Sequence, residues 1–257
     1  MTALLLAVLL ALPLQEKAGD EAGAPPDPER VKEAVAALEL AHKSGEPATM
    51  LAALELARDV AAPEVVDGVA RELKHKEREV RLAATEVLRF LKHEDAVAAL
   101  ERHVTREKKA LKDDHEFHAL LLRALAQHGL ERSIEVLADD VWSAPDHRVI
   151  RARLLGLANI RSDKALKAVM GLTTQAGKHK VQPFMEDVRT SLAVLTGEDE
   201  GELLEAWWSW WNAAGKAFHV APALPAKLPR EVEMRWKAFW KEQSPGGEAP
   251  EEPGGGR

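Results

Sequence analysis

Asp113-Asp114-His115-Glu116-Phe117-His118 is the densest cluster of metal-ligating side chains in this sequence. On a helix, the two histidines three apart share one face, with two carboxylates just ahead of them. A zinc hydrolase instead sets two histidines four apart around a general-base glutamate. Neither His115-Glu116 nor His93-Glu94 has a second histidine at that place. Zinc also needs a third protein ligand, and the sequence names none. Asp113 and Asp114 are better explained as acidic caps on a first helical turn, where side-chain oxygens meet unpaired N–H groups. No metal site is expected.

Other chemistry is sparse. The chain has no cysteine, which excludes disulfides, a thiolate nucleophile and Cys-ligated zinc. There is no phosphate-cradling glycine loop, nucleophile elbow or dinucleotide fingerprint. His42, His75, His103, His128, His147, His179 and His219 are scattered near helix ends and turns. Acidic neighbours such as Asp139-Asp140 and Glu251-Glu252 have no visible pocket to shift a pKa. No catalytic or cofactor-binding residue is therefore expected, and the chain does not read as an enzyme. Its formal charge of −7 opposes general nucleic-acid binding, which needs a clustered positive face. The basic runs Lys74–Glu79 and Arg106–Lys112 are laced with or followed by acids, and read as solvated helix faces.

The elements that would carry any site are helices. Asp27 is placed to cap a helix beginning at Pro28, with Gly45 as its stop. Beyond it, helical stretches alternate with short breaks at 45–47, 61–63, 93–95, 144–146 and 161–163, and no stretch alternates as a strand would. The chain also repeats itself. Val80–Leu100 overlays Val149–Val169 without a gap, pairing Val80 with Val149, Leu88 with Leu157, Leu91 with Ile160 and Ala96 with Ala165. Phe117–Leu137 fits between them. Thr49–Val69 fits before them through Ala52, Ala57, Val60 and Val65, and a weaker copy, Phe184–Leu204, follows. The copies are spaced 31 to 37 residues apart, the length of one helix–turn–helix unit.

With Val80-Arg81, Ala83-Ala84, Val87-Leu88 and the turn at Asp95-Ala96, echoed by Val149–Ala152 and Asp187–Leu192, the chain resembles a HEAT-repeat protein. The resemblance covers roughly Pro47 to Trp211, with Arg30–Ser44 as half of a first unit. It implies a right-handed α-solenoid of helical hairpins that binds protein partners on the inner surface of its second helices. Arg71 and His103 would line that surface, and Trp142 and Trp208 are further candidates for partner contact. The segment Leu195–Trp211, through Thr196, Gly197, Gly201, Trp207, Trp210 and Trp211, is similar to a tail that ends many exported bacterial HEAT-repeat proteins. Here Leu203 stands where that tail has an aspartate helix cap, leaving Asp199 as an alternative cap.

Four of the seven tryptophans lie between Trp207 and Trp211. At about 100° per residue, Leu203, Leu204, Trp207, Trp210, Trp211, Ala214 and Phe218 share one side of a helix. That stripe suits a C-terminal helix capping the open end of a helical stack. Trp208, at the stripe's edge, is expected to reach solvent. A detached ligand- or membrane-binding role for these indoles is less favoured, since Glu202 and Glu205 flank them with few cations.

The resulting map has a signal-peptide-like segment and polar linker over 1–24, since the apolar run Ala3–Leu14 is too short to span a membrane. A repeat region with its Trp-rich cap covers 28–215, a Pro-rich connector 216–229, an amphipathic helix 230–243 that should fold back, and a Pro/Gly/Glu-rich tail 244–257. The expectation is a secreted or periplasmic, non-catalytic scaffold for a protein partner, with no cofactor, nucleic acid or stable membrane insertion. An enzyme or ligand binder on the same helices is the alternative, and a continuous positive inner groove containing Trp142 or Trp208 would favour it.

Overall fold

Helix starts and stops fall where side chains can serve the unpaired backbone groups. The computed structural model describes residues 26–175, 178–214 and 217–241, in which every regular element is helical. Helix α1 (Pro28–Ser44) begins with the Asp27 carboxylate accepting the Glu29 N–H at 3.1 Å. It ends at Gly45, whose φ of 68° lets its N–H turn back to Ala41 O. Next come α2 (Pro47–Ala57), α3 (Pro63–Arg71), α4 (Arg78–Phe90), α5 (Glu94–Arg106), α6 (Lys108–Leu111) and α7 (His115–Gln127). They are followed by α8 (Ile134–Ala138), α9 (His147–Asn159), α10 (Asp163–Gln175), α11 (Lys178–Val181), α12 (Met185–Thr196), α13 (Leu204–Ala214) and α14 (Arg230–Lys241). Asp114 and Asp146 cap α7 and α9, accepting the N–H groups of Phe117 and Arg148. The apolar N-terminal run and the C-terminal tail lie outside the described residues.

Two rows of helices organise the contacts. In the first, α2 packs on α4, α4 on α7, α7 on α9 and α9 on α12. In the second, α3 packs on α5, α5 on α8 and α8 on α10. The sequence copies share environments: Ala57, Leu88, Leu125, Leu157 and Leu192, one template position in five copies, are all 0% exposed. Val80 and Val149 are both buried. Ala52 departs from the template and is exposed, whereas its counterpart Ala152 is buried. The reason is position: α2 packs between α1 and α4, and Ala52 faces away from both while Ala53 and Leu54 fill the contact.

Polar side chains bridge the same interval. Arg81 pairs with Asp114, Arg151 with Asp187, Lys74 with Glu107, Lys108 with Asp139, Arg132 with Glu101 and Lys164 with Glu131. These partners are 31 to 36 residues apart. Backbone carbonyls join in: Asn159 donates to Ala126 O and Arg161 to Val194 O, each 33 residues away. Arg153, buried on α9, donates to the carbonyls of Val136 and Leu137, which the short α8 cannot satisfy itself.

The C-terminal segments pack against this frame. Gly197 (φ 79°) ends α12 against Pro225. Asp199 does not cap α13; its carboxylate holds Arg189 at 2.7 Å and accepts the Gly201 N–H, because α13 starts too late for it to reach. Gly201 O in turn accepts the Trp207 indole N–H at 2.9 Å, and Trp207 is 0% exposed. Trp210 lies edge-on to Trp207 and to Phe218, with centroids 6.1 and 5.2 Å apart. Leu203, expected on the buried stripe, is 70% exposed. It precedes the first turn of α13, so the helical phase does not apply to it.

From Phe218 the chain runs back past α10, where Asp163 accepts the Val220 N–H and pairs with His219. Helix α14 then folds onto α12, burying Val232, Trp236 and Phe239. Arg235 meets Glu186 and Asp187, Arg189 meets Glu231, and Arg123 of α7 donates to Phe239 O at 3.0 Å. Asp187 thus ties α9, α12 and α14 together through Arg151 and Arg235. Its burial raises its pKa against the pull of Arg151. Asp187→Asn is expected to lower stability by about 1–2 kcal/mol, less than a fully buried pair because both arginines reach solvent. Urea unfolding monitored by circular dichroism measures it, and an unchanged midpoint would refute the role.

Candidate interaction surface

Helices α3 and α5 each turn one face toward the same groove. On α3 and the 3-10 turn after it, Asp67, Arg71 and Lys74 recur at intervals of four and three; on α5, Ala99, Arg102, His103 and Arg106 do the same. The groove between them holds about 330 Å³. Its floor is small and uncharged, from Ala70, Leu73, Ala99 and His103, and its rim carries Arg71, Lys74, Arg102 and Arg106 beside Asp67 and Glu107. Lys74 is spent on Glu107. Arg71, Arg102 and Arg106 are exposed and meet no carboxylate among the described residues.

The buried His103 anchors the floor. Its ring stands edge-on to Phe117 of α7, centroids 5.9 Å apart, and the Arg81 guanidinium lies 5.3 Å from the Phe117 centroid. Arg81 is fixed in turn by His75 O at 3.0 Å and by Asp114. Burial pushes the His103 imidazole down, with Lys74 and Arg81 adding to the shift and Glu107 opposing it, so the floor is neutral at pH 7.

Of the four residues singled out for partner contact, Arg71 and His103 therefore line one groove, and Trp142 and Trp208 do not. Both indoles anchor on the last turns of α10. Trp142 donates to Leu172 O at 3.0 Å and Trp208 to Thr173 Oγ1 at 3.2 Å. Trp208 is half-buried rather than solvent-facing, because a donor so placed can satisfy its N–H internally. Neither indole lines the cationic groove. Arg102 and Arg106 went unassigned in the sequence. Their spacing of four on one helix, flanking His103, was the available signal. Arg106 begins the run read as a solvated face, yet it turns into the groove, while Lys108 reaches across to Asp139.

His115 and His118 line a separate cavity of about 110 Å³ with Arg153, Asp139 and Asp140. No group of three or more His, Asp or Glu side chains among the described residues is arranged to hold a metal ion. The His118 Nε2 is buried, and desolvation, with the charges of Arg153 and His115, lowers its pKa to about 4. The unfolded ring titrates near 6.5. Between those values the unfolded chain binds more protons, so stability present above pH 6.5 is lost as pH falls toward 4, by on the order of 3 kcal/mol. His103 and His128 shift the same way, mainly by burial. His118→Leu is expected to flatten the dependence of Tm on pH between 7 and 4.5; parallel curves for both proteins would contradict it.

No model of a known protein family matches this sequence, and no curated protein matches it. No helix among the described residues is long and apolar enough to cross a membrane.

Proposed function

We propose that this protein is a HEAT-type α-solenoid acting as a non-catalytic scaffold, which holds a protein partner on the face of its second-row helices. The supporting observation is the recurrence of one buried template and one bridging polar pattern at the repeat interval, with cations on the α3/α5 face that meet no carboxylate among the described residues. Each helix pair buries its apolar side only against its neighbours. The indoles of α13 and the helix α14 supply the cover that the last pair needs. Export is part of the same reading, supported by the apolar run Ala3–Leu14 and by the likeness of the Leu195–Trp211 segment to exported proteins.

A photo-crosslinking side chain at Thr105, exposed on the second row, tests the reading against one at Glu79, exposed on the first. Discrete protein adducts from Thr105 and few from Glu79 are expected in the source organism. Adducts confined to Glu79, or none from either position, would overturn it. Export is checked by sequencing the N-terminus of the protein from the secreted fraction, where loss of roughly the first 24 residues is expected.

A further inference from the structure

Elsewhere along the second row, the cations that bridge neighbouring helices end on carboxylates: Arg132 on Glu101, Lys108 on Asp139 and Lys164 on Glu131. The α3/α5 groove departs from this pattern. Lys74 is matched by Glu107, and three further guanidiniums line the same concavity without an ion pair among the described residues, although Asp67 shares the rim. Like charges so close oppose one another, in a chain whose formal charge is −7. An incoming anion would relieve that repulsion.

Resting on the scaffold reading, we propose that the α3/α5 groove binds an acidic peptide segment in extended conformation, its alternate carboxylates engaging Arg102, Arg106 and Arg71. The spacing fits. Arg102 and Arg106 are one turn apart on α5, a rise of about 6 Å along the helix. Residues i and i+2 of an extended chain point the same way about 6.6 Å apart. A Glu-x-Glu or Asp-x-Asp segment therefore presents its carboxylates in step with the two guanidiniums, each of which can take one through a two-pronged pair. Arg71 faces them from α3. The small side chains of Ala70 and Ala99 let the peptide backbone come close, and the neutral His103 offers a hydrogen-bonding ring nitrogen on the floor without a competing charge.

A polyphosphate backbone fits less well. Its unbroken row of charges would have to pass Asp67 and Glu107, which share the rim with the arginines. A peptide that alternates acidic and neutral residues can instead set its carboxylates on the arginines alone. The same acids oppose an anionic lipid surface, which would need a broad cationic face rather than a cleft.

The test uses the full chain and a fluorescein-labelled Glu-Ala-Glu-Ala-Glu peptide, with Gln-Ala-Gln-Ala-Gln as its uncharged counterpart, read by anisotropy. Binding of the acidic peptide alone is expected, weakening as salt rises. Arg102→Gln/Arg106→Gln should weaken it at least tenfold and Arg71→Gln severalfold. All three side chains are exposed, so the variants should keep the parent circular dichroism and melting profile. Arg132→Gln, whose side chain is already paired with Glu101, is the control and should bind like the parent. The proposal is overturned if both peptides bind alike, if the groove variants bind like the parent, or if a single-stranded oligonucleotide or phosphatidylserine vesicles bind more tightly than the acidic peptide. Adducts at Thr105 without peptide binding would refute this proposal and leave the scaffold reading standing. Absence of adducts at both crosslinking positions would refute the scaffold reading itself.

Discussion

Trp207→Ala is expected to be the most damaging single substitution in the described chain, costing about 3–5 kcal/mol. The indole is 0% exposed, packs edge-on against Trp210, and closes the loop after α12 by donating to Gly201 O. Truncation removes a large apolar area and leaves both a cavity and a carbonyl without its donor. Trp207→Phe is the milder variant. It keeps a six-membered ring in the site but loses the N–H and leaves a smaller cavity, so an intermediate cost of about 2 kcal/mol is expected. Urea unfolding followed by far-ultraviolet circular dichroism reads both. A loss below about 1 kcal/mol for the alanine variant would mean that α13 is not an integral part of the fold.

The second large effect has a sign that local preference gets wrong. Gly156 lies inside α9, where replacing glycine with alanine normally gains about 1 kcal/mol of helix propensity. A Cβ at this position, however, would stand 2.9 Å from the Ala126 Cβ and 3.4 Å from Leu137 Cδ2. The Ala126 Cβ is fixed to the backbone of α7 and cannot swing aside, so α7 and α9 must separate. Gly156→Ala is therefore expected to destabilise by about 1–3 kcal/mol, and Gly156→Val by more. Gly171 in α10 is the control, since a Cβ there meets nothing within 4 Å. Gly171→Ala should be neutral or stabilising by up to about 1 kcal/mol. If both alanine variants raise the melting temperature, the tight α7–α9 approach is wrong.

The helices and most of their ends were legible because they are local. Asp27 with Pro28, Gly45 and Asp114 each act within one turn of the residue they serve. The internal similarity of the sequence is matched by shared burial at positions such as Leu88 and Leu157, but not at Ala52 and Ala152. The tryptophan stripe was partly legible. Helical phase placed Trp207 inside, but it misplaced Leu203, which lies before the first turn of α13.

The candidate site was less accessible. Arg71 and His103 could be placed on second helices, but which cations keep their charge free depends on partners about 30 residues away. Arg106 and Lys108 sit two apart in one basic run; one faces the α3/α5 groove, while the other reaches Asp139. Trp142 and Trp208, 66 positions apart, came to share α10 because each spends its indole N–H on an acceptor there.

Residue order alone thus determined that the described chain is helical, where several of its helices begin and end, and most of their apolar sides, since capping and periodicity act over a few residues. Only the tertiary structure decided which arginines lack a carboxylate, which indole N–H groups are satisfied internally and which glycine admits a neighbouring helix. Those outcomes depend on the separation of helices distant in sequence, where a few tenths of an ångström decide between contact and clash.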